Sequence, residues 1–101
     1  MKLTHLKDGQ QIPINIAAHK LFGADRAEVI HLCFKPGETL AKHTNPFDVV
    51  FYVLEGTGNL EVDDQTLTAG SDTLIEVSAP EQRGWTNTGS GDLRVLVIKL
   101  L

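Results

Sequence analysis

The chain has 101 residues, 42% hydrophobic and 22% charged, with nine Lys and Arg against thirteen Asp and Glu for a formal net charge of -4. That length predicts one domain over 1–101 with a single core, and the acidic balance without a basic cluster argues against a nucleic-acid partner. No apolar run approaches the roughly 20 residues of a membrane span, and "MKLTHLKDGQQIPINI" lacks the apolar core of a signal peptide, so a cytoplasmic protein with no membrane partner is expected.

In chain order, "INIAAHKLFGADRA" (14–27) is the only stretch with any helical character, and Gly23 interrupts it. "AEVIHLCF" (27–34) reads as a strand. It holds the single cysteine, Cys33, which excludes an internal disulfide and a CxxC metal knuckle and is most simply a small buried hydrophobe. His31 alternates with Val29 and Cys33 and reads as a packed or surface histidine, and His5 and His19 lie on other segments. Further short runs follow: "DVVFYVLEG", "GNLEV", "QTLTAG", "DTLIEV", "GWTNTG" and "LRVLVIKLL". Turn signals separate them at "KPGE", "EGTG", "VDDQ", "AGSD" and "GSGD". Turns spaced about ten residues apart predict an all-β sandwich or barrel of antiparallel strands.

"VVFYVL" (49–54) and "VLVIKLL" (95–101) are apolar on both faces. A small barrel has little interior to fill, so the second face is expected to meet another subunit in a homodimer. The alternative is that loops or the N-terminal segment cover it.

"PGETLAKHTNPFDVVFYVLEGTGNLEV" resembles the first motif of the cupins: Gly, five residues, His-x-His, three or four residues, Glu, six residues, Gly. Here Gly37 precedes His43 across five residues and Gly56 closes the motif. "AGSDTLIEVSAPEQRGWTNTGSGDLRVLVIKL" resembles the second motif, with its Asn-x-Gly as Asn87-Thr88-Gly89. The two cover residues 36–100, and the resemblance implies a single-domain jelly roll, the double-stranded β-helix barrel of antiparallel strands.

The resemblance also implies a metal held by two histidines and a glutamate from the first motif and a histidine from the second. His43 fills the first position, Asn45 stands at the second, Val49 or Val50 at the glutamate and Arg83 at the last histidine. A divalent transition metal needs three or four good donors, so no cofactor is expected. An atypical divalent metal set of His43, Asn45 and Asp48 is the alternative, although strand alternation turns Asp48 away from the face of Val49 unless a bulge intervenes.

Cupin geometry implies that His43, Asn45 and Arg83 converge inside the barrel, lined by Val49, Phe51 and Trp85. The planar fork of Arg83 suits a carboxylate or phosphate, which points to a small organic acid or acidic sugar. Against this, Arg83 could pair with Asp48, Glu76 or Glu81, or reach to solvent, with His43 hydrogen-bonded in a filled barrel. Three readings stand: a metal-free small-molecule binding protein; a cupin enzyme, isomerase, epimerase or dioxygenase-like, with His43 as acid/base or with an atypical metal; and a structural dimer without ligand. No Ser-His-Asp or Cys-His constellation supports nucleophilic catalysis.

Overall fold

The computed structural model describes residues 1–101, which form ten strands and one short 3-10 turn at Leu6–Asp8. The strands are β1 (Gln10–Gln11), β2 (Ala17–Gly23), β3 (Ala27–Phe34), β4 (Thr39–His43), β5 (Asp48–Glu55), β6 (Thr57–Val62), β7 (Gln65–Gly70), β8 (Leu74–Val77), β9 (Arg83–Asn87) and β10 (Leu93–Leu100). They make two antiparallel sheets, one ordered β1-β2-β3-β10-β5-β8 and the other β4-β9-β6-β7.

Alternation builds the core. Ile30, Leu32 and Phe34 of β3, Val49, Phe51 and Val53 of β5, and Leu93, Val95 and Val97 of β10 all turn inward and are buried. Leu60 and Trp85 meet them from the opposite sheet. Register keeps like with like: Val95 lies opposite Leu32 and Val53, and Val97 opposite Ile30 and Phe51. Each such side chain contributes about 1.5–3 kcal/mol through burial.

The turns follow from their residue types. Gly56 has φ +86°, and a Cβ there would sit 2.3 Å from the Asp92 carbonyl oxygen, so the β5–β6 turn requires glycine. Asp63 and Asp72 take left-handed backbone at φ 52° and 63°, which short polar side chains tolerate. The buried Asn87 amide donates to the Phe34 and Gly91 carbonyls at 2.9 and 2.8 Å and accepts from Gly89 N at 2.9 Å. The Asn-x-Gly motif thus locks the 88–92 turn onto the end of β3.

The expected strands are present, and the all-β class holds. The 14–27 segment is not helical but carries β2, whose Ala18 faces the core. Strands β1 and β4 give no clear sequence signal because almost all of their residues are exposed or half-exposed. Outside the barrel, Val29, Val50, Tyr52, Leu54, Leu96 and Ile98 form a half-exposed apolar surface on β3, β5 and β10. The N-terminal segment does not fill this surface; its Ile12 and Ile14 turn to the interior pocket. No helix is long and apolar enough to cross a membrane.

Candidate ligand-binding site

The barrel encloses a pocket of about 190 Å³ whose lining is two-thirds hydrophobic, ten residues of fifteen. All six residues expected there from the sequence, His43, Asn45, Val49, Phe51, Arg83 and Trp85, line it. Strand pairing explains the convergence. His43 at the end of β4 lies opposite Arg83 at the start of β9, after a register irregularity between Leu40 and His43. Gly84 permits that close approach: a Cβ there would lie 2.8 Å from both the Leu40 carbonyl oxygen and the Lys42 nitrogen.

Arg83 is only 1% exposed, and four of its five N–H donors have acceptors. Nε donates to the Glu81 carbonyl at 3.0 Å, and Nη2 to the Ser78 and Ala79 carbonyls at 2.8 and 3.4 Å. In the amide orientation that satisfies its neighbours, Asn45 Oδ1 accepts from Arg83 Nη1 at 3.1 Å and Asn45 Nδ2 donates to the Thr44 carbonyl at 3.2 Å. Burial pushes the Arg83 pKa down, opposed by Glu81, Asp48 and Asp63, and the guanidinium stays charged. Arg83 makes no direct ion pair with Asp48, Glu76 or Glu81. Its charge borders the pocket, but most of its hydrogen-bonding capacity clamps the 78–81 turn.

His43 is solvent-exposed, and its Nδ1 sits 3.0 Å from the Ala41 carbonyl. A carbonyl only accepts, so Nδ1 is the donor in this contact, which leaves Nε2 as the nitrogen that can exchange a proton. Trp85 is 1% exposed, its ring edge-on to Phe51 at 5.5 Å and 83°, and its Nε1 has no partner. Together the two rings form a rigid wall.

Lys99 also lines the pocket and has no counterpart in the residues expected from the sequence. It shares the face of Leu93, Val95 and Val97, so the alternation of "LRVLVIKL" was the signal. Its ammonium lies 3.8 Å from Glu28 Oε1 and 5.5 Å from the centroid of Phe47. His43, Arg83 and Lys99 are the only titratable residues in the lining, which contains no carboxylate.

The residues present do not fit a divalent transition metal. Of the four positions implied by the motifs, only His43 supplies a good donor, and no group of three or more His, Cys, Asp or Glu is placed to hold an ion. Asp48 cannot complete a set: it is exposed, Val49 beside it is buried, and its carboxylate accepts from Ala79 N at 2.9 Å.

Two antiparallel sheets closed around an interior pocket define a double-stranded β-helix of the jelly-roll class. The cupin-domain family model matches residues 30–99, and the chain belongs to that family. No curated protein matches the sequence. Among solved structures, it is similar to the polyketide cyclase RemF from Streptomyces resistomycificus, with 24% identity and TM-score 0.86, covering 99% of this chain and 79% of that one. It also resembles a predicted oxalate decarboxylase from Thermotoga maritima, with 17% identity, TM-score 0.87 and coverage of 99% and 100%. A third likeness is to an RmlC-like cupin family protein from Methanocaldococcus jannaschii, with 20% identity, TM-score 0.83 and coverage of 99% and 90%. At such identities these structures establish the fold and leave the activity open.

Proposed function

We propose that the chain binds, without a metal, a small organic anion with an apolar, ring-sized body inside the barrel. The observation that carries this is the lining: ten of fifteen residues hydrophobic, Arg83 and Lys99 as its fixed cations, and no carboxylate, in a protein of net charge -4. An apolar cavity of about 150 Å³ accommodates benzene, so about 190 Å³ suits one ring or a short branched chain plus a carboxylate. A sugar fits less well, because its hydroxyls would face Ile, Leu, Val and Phe side chains with no hydrogen-bonding partners. A thermal-shift panel of ring-sized carboxylates, their neutral amides and monosaccharides tests the reading. Stabilisation by acids alone is the expected outcome; stabilisation by sugars alone refutes it.

The free Nε2 of His43 favours one second reading, a proton-transferring enzyme of the isomerase or epimerase kind, with that nitrogen as base and the lining cations steadying an enolate. On this reading, solvent deuterium enters the α-carbon of a bound acid with the native chain and not with His43→Gln.

The half-exposed outer face supports pairing with a second copy. Val50, Tyr52, Leu96 and Ile98 lie on the adjacent strands β5 and β10 of the six-stranded sheet, where a two-fold axis would set one apolar patch against its own copy. Light scattering should give a dimer mass for the native chain and a monomer mass for Leu96→Lys; a native monomer refutes the pairing.

A further inference from the structure

We infer that Lys99, and not Arg83, is the residue that selects the ligand's anionic group, an assignment that rests on the pocket reading above. Both cations line the cavity, but they are engaged very differently. Arg83 directs four N–H groups at the Glu81, Ser78 and Ala79 carbonyls and the Asn45 side chain. A fifth N–H alone cannot grip a carboxylate in the two-pronged manner that makes arginine selective.

Lys99 carries three donors and has no hydrogen bond. Its contacts are a long ion pair to Glu28 at 3.8 Å and the face of Phe47 at 5.5 Å. Glu28 does not neutralise it fully, because the same carboxylate also serves Lys20 at 3.7 Å. One carboxylate between two ammonium groups leaves a unit of positive charge in excess. The register fixes where the residue sits: Lys99 lies opposite Glu28 on β3 and Val49 on β5, two residues beyond the buried Val97 on the inward face, so its stem lines the cavity and its ammonium can swing from Glu28 toward a guest. Its side chain is 26% exposed, dry enough to strengthen a charge contact and open enough to rearrange around a guest. Glu28 then acts as an internal stand-in for the ligand's carboxylate and competes with it.

Titration of the ¹⁵N-labelled full chain with benzoate and with benzamide, followed by NMR, tests the assignment. The native chain should bind benzoate about tenfold more tightly than benzamide, the preference expected of one partly shielded charge contact. Lys99→Met keeps the apolar stem; it should bring the two affinities together while leaving that for benzamide within about twofold. Lys99→Arg should restore the preference, and Glu28→Gln should strengthen benzoate binding severalfold by removing the competitor. The same spectra report whether each variant is folded. Retention of the tenfold preference in folded Lys99→Met overturns the assignment to Lys99 and leaves the pocket reading intact, whereas equal native binding of both probes overturns the assignment and the anion preference of the pocket together. Failure of the native chain to bind either probe removes the pocket reading and this assignment together.

Discussion

Replacing Arg83 with Met removes the buried clamp at the end of the barrel while preserving most of the side chain's length. The Nε–Glu81 and Nη2–Ser78 bonds, at 3.0 and 2.8 Å, are short and charge-assisted; the Ala79 contact at 3.4 Å is marginal. Each good bond from a charged donor contributes about 1.5–3 kcal/mol. Ser78 is exposed and Ala79 and Glu81 half-exposed, so water can recover part of the loss at these carbonyls. The Asn45 amide loses its acceptor role as well. Against these losses, desolvation of the guanidinium is relieved. The balance is a destabilisation of about 2–4 kcal/mol. Urea unfolding followed by the fluorescence of Trp85, the single tryptophan, reads this directly. With a slope of about 1–1.5 kcal/mol per molar urea, the midpoint should fall by about 1.3–4 M. A midpoint within 0.3 M of native, at unchanged slope, would refute the structural role and return the whole guanidinium to ligand binding.

His31 gives a pH signature. It is 3% exposed and accepts a 3.1 Å hydrogen bond from Arg94 Nε; burial, then Arg94, then His19 lower its pKa below the ordinary 6.5. The unfolded chain therefore takes up a proton that the folded chain refuses, and stability is complete above about pH 6.5 and declines as pH falls below it, by at most about 1.4 kcal/mol per unit. Thermal midpoints from pH 7.5 to 5.5 should show that decline, and His31→Leu should flatten it; an equal slope in the variant sinks the assignment. For metals, the expected result is no saturable rise in thermal midpoint with Mn²⁺, Fe²⁺, Ni²⁺ or Zn²⁺, and stoichiometric binding that disappears in His43→Ala would overturn the donor-set argument.

The sequence exposes the strands that bury one face strongly and hides those that do not. β5 and β10 read clearly because Val49, Phe51 and Val53, and Leu93, Val95 and Val97, alternate through full-length strands. β4 is obscure because most of "TLAKH" faces solvent and the strand is held by backbone pairing to β9. The convergence of His43, Asn45 and Arg83 was legible only through the resemblance to the cupin motifs, which implies that these positions meet inside the barrel, as they do in the pocket lining. What Arg83 does there was not, since its acceptors are backbone carbonyls of the 78–81 turn, and turn geometry leaves no residue-type signature. Lys99 was missed for another reason: in a run apolar on both faces, one lysine reads as a surface residue, although its parity with Val95 and Val97 places it inside.

Arg83, at the position where the cupin resemblance implies a histidine, sets the chemistry of the barrel mouth by hydrogen bonding. A metal would draw side chains from several strands toward one point. Arg83 instead reaches outward from one strand and holds Asn45 and the carbonyls of Ser78, Ala79 and Glu81 with directed donors. The segments before β5 and before β9 are tied together, so the mouth remains ordered on protein contacts alone. The charge at its centre also remains positive, and a guanidinium stabilises a neighbouring anion but offers no vacant coordination position to polarise one as a Lewis acid. A mouth organised this way offers fixed positive charge without a metal's donor set, which is why the proposed recognition of an anion rests on Lys99, with His43 beside it in the lining.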